Sequence, residues 1–157
     1  MPDTGIKILV VDDDRQLADT LTEFLTKLGY QAATAYGGRE GLELFEQGNF
    51  QLLITDLMMP EMDGMELLAE VKKQDRLAVV LVITGVGTVD SAVDAMNKGA
   101  YDFIPKPVKL AELGVIIERA MERYEIFRKM RVFRRMFFSM LSLSIVLLLL
   151  ILWFVVS

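Results

Sequence analysis

The chain of 157 residues contains no cysteine and no histidine. Without cysteine there is no disulfide, no thiolate metal site and no sulfur nucleophile. Without histidine there is no Ser-His-Asp triad, no imidazole base and no His-ligated zinc. The chain cannot itself carry a phosphohistidine, so any such chemistry has to arrive on a partner. Positive charge is scarce as well. Residues 1–110 hold 10 Lys and Arg against 18 Asp and Glu, which gives 10 − 18 = −8. Contacts to nucleic-acid phosphates need clustered cations, so no nucleic-acid partner is expected.

What is present is unevenly placed. Mean hydropathy is +0.38, high for a soluble domain, which points to one concentrated apolar segment. That segment is Met136 to Val156, since no charged side chain follows Arg135. Its 21 residues would span about 31 Å as a helix, the thickness of a bilayer core. Trp153 falls near its far end, where aromatic side chains favour the interface. Arg128, Lys129, Arg131, Arg134 and Arg135 precede it with no acid among them, and residues 111–157 carry 7 − 4 = +3. This pattern predicts a transmembrane helix over 136–156, with lipid contact over 128–156 and the basic flank on the cytoplasmic side.

Apolar runs and helical stripes alternate along the rest of the chain. Ile6–Val11, Phe50–Thr55 and Ala78–Ile83 read as strands buried on both faces, with weaker strands at Tyr30–Tyr36 and Asp102–Ile104. Helices are expected over Asp14–Leu28, Arg39–Gln47, Gly64–Lys73 and Thr88–Lys98, and from Lys109 onward. Asp63 and Glu66 have the spacing of a capping box. Five βα repeats imply a parallel sheet covered on both faces. The expected organisation is a domain over 1–125, a basic helical stalk over 126–135 and the membrane helix. Leu113, Ile117, Ala120, Tyr124 and Phe127 have heptad-like spacing, which leaves pairing with a second copy open.

Four chemical features fall at carboxyl ends of strands: Asp12-Asp13-Asp14, Asp56, Thr84 and Lys106. Ligands of open α/β sheets bind outside those ends, at the switch point of strand order. With order 2-1-3-4-5, Asp12, Asp13 and Asp56 share one crevice. Three carboxylates so close repel one another, and a hard divalent cation relieves the repulsion. All-oxygen ligation suits Mg²⁺, with Mn²⁺ as its substitute. Lys106 supplies a fixed positive charge and Thr84 a hydroxyl. The set suits phosphoryl transfer, with Asp56 as the carboxylate nucleophile.

The stretches Leu9-Val10-Val11-Asp12-Asp13-Asp14, Asp56-Leu57-Met58-Met59-Pro60-Glu61-Met62-Asp63-Gly64, Ile83-Thr84-Gly85 and Lys106-Pro107 resemble the response-regulator receiver family of two-component signalling. The resemblance covers roughly residues 5–125. It implies a flavodoxin-like, doubly wound, five-stranded parallel sheet. It implies that Asp56 accepts phosphate from a histidine kinase or phosphotransfer protein, and that Asp13, Asp56 and the Met58 backbone carbonyl ligate Mg²⁺ while Asp12 helps through water. It further implies that Lys106 and Thr84 read the phosphoryl group. Lys106–Pro107 is expected to be cis. Thr84 and Phe103 would form the switch, changing a face made of the fourth helix, fifth strand and fifth helix. In the family, the positions held here by Met58 and Val86 influence phosphoryl hydrolysis. Neither side chain can orient water, so a long-lived aspartyl phosphate is expected.

Rival readings each lack a residue. Phosphatases that use an aspartate nucleophile need a general acid two positions on, where this chain has Met58. A flavodoxin-like nucleotide module needs a Gly- or Ser/Thr-rich loop after the first strand, where this chain has three acids. A binding-only relative would not need every motif residue. The expectation is therefore a signalling receiver rather than an enzyme that turns over an external substrate. It would sit at a bacterial inner membrane with the receiver in the cytoplasm, and act on a downstream protein.

Overall fold

In the computed structural model the described backbone runs from residue 5 to 156, and side chains are described for residues 5–145 and 153. The elements alternate without exception: β1 (Lys7–Val11), α1 (Arg15–Lys27), β2 (Gln31–Ala35), α2 (Gly38–Gly48), β3 (Leu52–Asp56), α3 (Gly64–Gln74), β4 (Val79–Thr84), α4 (Val89–Asn97), β5 (Asp102–Pro105) and α5 (Leu110–Val156). The five strands form one sheet in the order β2-β1-β3-β4-β5, and every pairing is parallel.

Alternation along the inner strands splits the core into two layers. Leu9, Val11, Leu53, Val80 and Val82 face α2, α3 and α4, where Phe45, Leu67, Leu68, Val71 and Ala95 cover them. Ile8, Val10, Leu52, Ile54, Leu81 and Ile83 face α1 and α5, where Leu21, Leu25, Leu113, Ile117 and Ala120 cover them. Successive side chains of a strand point to opposite faces, so a fully apolar strand needs cover on both. Ile54→Ala, at a residue 1% exposed, would cost about 3 kcal/mol through lost burial and a residual cavity.

Local chemistry sets the helix ends. Asp14 caps α1 by accepting from the Leu17 N–H. Asp63 caps α3, and Glu66 completes the expected box by accepting from the Asp63 N–H. Thr88 caps α4. The Lys106–Pro107 peptide is cis, as expected.

Two expectations bear on α5. Leu113, Ile117 and Ala120 are at most 1% exposed because they pack on the sheet, so these three positions of the heptad-like seam belong to the domain's own core, whereas Phe127 is exposed. The chain divides into two units after Tyr124. In the second unit, a helical stretch, Phe133, Met136, Phe137 and Phe138 are exposed, and Arg128 pairs with Glu125 at 2.9 Å. Among the described residues no helix is long and apolar enough to cross a membrane. The expected span over 136–156 is therefore not found. Its described uncharged stretch, 136–145, rises only about 15 Å, half a bilayer core. The remainder of that expectation, 146–152 and 154–156, lies outside the described side chains.

Candidate functional site

The strand order places β1 beside β3, so the carboxyl ends of both open into the crevice where helices leave on opposite faces. Asp56 is the last residue of β3, and Asp12 follows β1 directly. Both are buried, at 7% and 3% exposure, whereas Asp13 is exposed. One carboxylate oxygen from each of Asp12, Asp13 and Asp56 lies within 4.8 Å of the others. The sequence expected this cluster, and the fold assembles it.

Lys106, just past β5, reaches across to the same point. Its ammonium donates to Asp56 Oδ2 at 2.7 Å and to Asp12 Oδ2 at 2.9 Å. The other Asp56 oxygen accepts from the backbone N–H groups of Leu57 at 2.6 Å and Met58 at 3.3 Å. Asp12 Oδ1 accepts from the Asp14 N–H at 2.9 Å. Burial pushes the Asp12 carboxyl above its ordinary pKa and outweighs the hydrogen bond and charge of Lys106. Burial would lower the Lys106 pKa, but hydrogen bonds to Asp12 and Asp56 outweigh it and hold the ammonium above the usual lysine value.

Thr84 ends β4 and is 2% exposed. Its Oγ1 accepts from the Val86 N–H at 3.2 Å, and its carbonyl accepts from the Lys106 N–H at 2.9 Å. Phe103 lies in β5, opposite Val82, and packs half-buried against the α2–α3–α4 layer. Met58 and Val86 stand exposed in the loops after β3 and β4, at 60% and 69%.

Two glycines belong to the site, although sequence reasoning assigned them no role. A Cβ on Gly64 would fall on the Asp56 carbonyl oxygen, and the Gly64 N–H donates to the Leu57 carbonyl at 2.9 Å. The loop carrying Met58 thus closes tightly beneath Asp56. A Cβ on Gly87 would fall 2.7 Å from the Phe103 ring. The Asp63-Gly64 and Gly85-Val86-Gly87 stretches were the available signals, but they do not say which neighbour approaches. A third unassigned contact is Arg15, which lies over the Tyr36 ring at 4.3 Å while the Tyr36 hydroxyl donates to Asp19 at 2.8 Å.

An oxygen-only cluster of three carboxylates fits a hard divalent cation of the Mg²⁺ type. Carboxylates beside a fixed ammonium, at the switch point of a parallel sheet, suit the chemistry of a phosphoryl group. The family model for the response regulator receiver domain matches residues 8–118, and the chain belongs to that family. It is 40% identical over 116 residues to the transcriptional regulatory protein GlrR of Escherichia coli K12, covering 74% of this chain and 26% of that protein. It is 32% identical over 115 residues to the uncharacterized transcriptional regulatory protein YcbL of Bacillus subtilis 168, covering 73% of this chain and 50% of that protein. The chain thus spans half or less of these relatives' length. A receiver domain protein from Clostridium thermocellum superposes with a TM-score of 0.74 at 34% identity, covering 78% of this chain and 98% of that one. The beryllofluoride-activated NtrC4 receiver domain dimer superposes with a TM-score of 0.72 at 36% identity, covering 75% of this chain and 98% of that one. The chain is therefore the receiver of a two-component response regulator. Receivers of this family bind Mg²⁺ at such an acidic pocket and interact with histidine kinases or phosphotransfer proteins.

Proposed function

We propose that Asp56 accepts a phosphoryl group from a partner phosphohistidine and that the modified domain switches a protein-interaction face. The observation carrying this reading is Lys106, which bridges Asp56 and Asp12 at 2.7 and 2.9 Å beside the exposed carboxylate of Asp13. In the transfer, an Asp56 carboxylate oxygen forms the new O–P bond as the N–P bond breaks, and the imidazole leaves with that bond's electron pair. Lys106 and Thr84 hold the phosphoryl oxygens. Asp12, Asp13, Asp56 and the Met58 carbonyl would hold Mg²⁺, which neutralises charge on the carboxylates and the incoming group. The domain is modified rather than turning over an external substrate.

The face proposed to change is α4–β5–α5, with Thr84 and Phe103 as the moving parts. Val89, Val93 and Met96 support it, because they form an exposed apolar stripe on α4 at 80%, 53% and 47%. The output is a downstream protein contact.

The finer reading of location rests on sequence alone. The charge-free run 136–156 after the basic residues 128–135 favours a single-pass anchor at a bacterial inner membrane, with the receiver on the cytoplasmic side. Flotation of the full chain with neutral lipid vesicles tests it, and a chain left in the aqueous fraction refutes it. Intact mass after incubation with Mg²⁺ and acetyl phosphate tests the chemistry. One added phosphoryl group is expected on the parent and none on Asp56→Asn.

A further inference from the structure

The opposite end of the sheet from Asp56 has a different chemistry. Around the starts of β4 and β5, where α3 and α4 end, a cleft of about 470 Å³ is lined by Ala69, Lys72, Lys73, Arg76, Lys98 and Gly99. Residues 1–110 hold only 10 basic side chains against 18 acidic ones, yet four of those 10 line this one cleft and no acid does.

The ordinary explanation for lysines at helix C-termini is that they complement the helix dipole. It suffices for Lys98, which pairs with Asp94 one turn back at 3.1 Å, and for Lys73, which pairs with Glu70. It does not suffice for Lys72. That side chain is half-buried, with its stem over Gly99, where a Cβ would lie 3.4 Å from Lys72 Cε. Its ammonium donates to the Ala78 carbonyl at 2.6 Å rather than to a carboxylate. Burial lowers its pKa, Asp75 opposes that only in part, and the charge of Arg123 pushes it further down. Arg123 stands nearby, 5.8 Å from the Tyr101 ring. Within residues 1–110, a stretch of −8, the four lining cations Lys72, Lys73, Arg76 and Lys98 stand beside three acids, Glu70, Asp75 and Asp94, which leaves 4 − 3 = +1. A partly dry ammonium among like charges is the group that an anion stabilises most.

The lining also selects the anion. No aromatic side chain is present to stack a base, and the only apolar lining is Ala69 and Gly99. Ammonium and guanidinium groups suit the several oxygens of a phosphate. We infer that this cleft binds a phosphate-bearing anion, either a phospholipid headgroup or a small soluble phosphate. The headgroup source rests on the membrane reading above, whereas the site itself does not.

The test uses the full chain in vesicles, with amide hydrogen exchange read at 72–79 and 98–101. Three samples are compared: zwitterionic vesicles, vesicles with about one lipid in three replaced by phosphatidylglycerol, and zwitterionic vesicles with inorganic pyrophosphate. Severalfold slower exchange with phosphatidylglycerol alone identifies a headgroup site. Slowing with pyrophosphate as well identifies a site for soluble phosphate. Both support the inference, provided that Lys72→Met and Arg76→Gln abolish the slowing while phosphoryl uptake at Asp56 is kept. Unchanged exchange in both anion samples overturns it, as does slowing that survives both substitutions. Flotation of the same samples scores the anchor separately. Its failure leaves the pyrophosphate result standing.

Discussion

The Lys106 ammonium lies 2.7 Å from Asp56 Oδ2, joining residues 50 positions apart in the chain. The same ammonium holds Asp12, so one cation is shared by two buried carboxylates. Removing it leaves both facing each other without a counter-charge. Lys106→Met should lower the metal-free stability by about 2 kcal/mol, since breaking a buried pair strands its charge. Saturating Mg²⁺ should then stabilise the variant more than the parent. Urea midpoints with chelator and with Mg²⁺ check this, and equal midpoints for parent and variant in chelator would refute it.

Asp12 sets an inverse dependence on pH. Burial raises its folded pKa above the unfolded value of about 3.8. Above the folded pKa the ionised carboxylate therefore costs stability. As pH falls through the folded value toward 3.8, protonation removes that cost. Asp12→Asn removes the charge and keeps one acceptor oxygen for the Asp14 N–H, while its amide NH2 stands where Oδ2 accepts from Lys106. Without metal, its stability relative to the parent should fall by roughly 1 kcal/mol from neutrality toward pH 4. Denaturation in chelator across that range measures it, and a constant gap would count against the cause assigned.

The strands that position the site were legible because β1, β3 and β4 are covered on both faces and read as unbroken apolar runs. β2 and β5 lie at the sheet edges with half-buried residues, so their signal was weaker. Asp12, Asp13, Asp56 and Lys106 could be read as one cluster because strand ends converge whatever the loops do. Leu113, Ile117 and Ala120 left two readings open, since helical spacing does not distinguish a partner helix from the helix's own sheet. Lys72, Arg76 and Lys98 carried no signal in the sequence, because only the fold brings the ends of α3 and α4 together.

Gly87 shows a dependence that spacing could not reveal. An added Cβ would sit 2.7 and 2.9 Å from two Phe103 ring atoms and 3.4 Å from Thr84 Cγ2. Gly87→Ala must therefore displace the ring, at a cost of about 1–2 kcal/mol. Phe103→Leu should relieve most of that cost. The four proteins of the double-mutant cycle should show a coupling of about 1 kcal/mol. Strictly additive midpoints would mean that the loop yields instead of the ring.

Persistence of the phosphoryl group depends on whether attacking water can be held in line. Met58 and Val86, in the loops after β3 and β4, are exposed at 60% and 69%, and neither donates or accepts a useful hydrogen bond. Neither side chain can therefore orient water beside Asp56. Met58→Asn places an amide in that position without touching Asp12, Asp13 or Lys106, and the Met58 backbone remains. Decay of the aspartyl phosphate should accelerate about tenfold, equivalent to about 1.4 kcal/mol of barrier. The time course of phosphorylated mass after removal of acetyl phosphate reads this directly. Equal decay in parent and variant would mean that hydrolysis is set elsewhere, by the hold of Lys106 and Thr84 on the phosphoryl oxygens. Lys106→Arg should then change the lifetime where Met58→Asn does not.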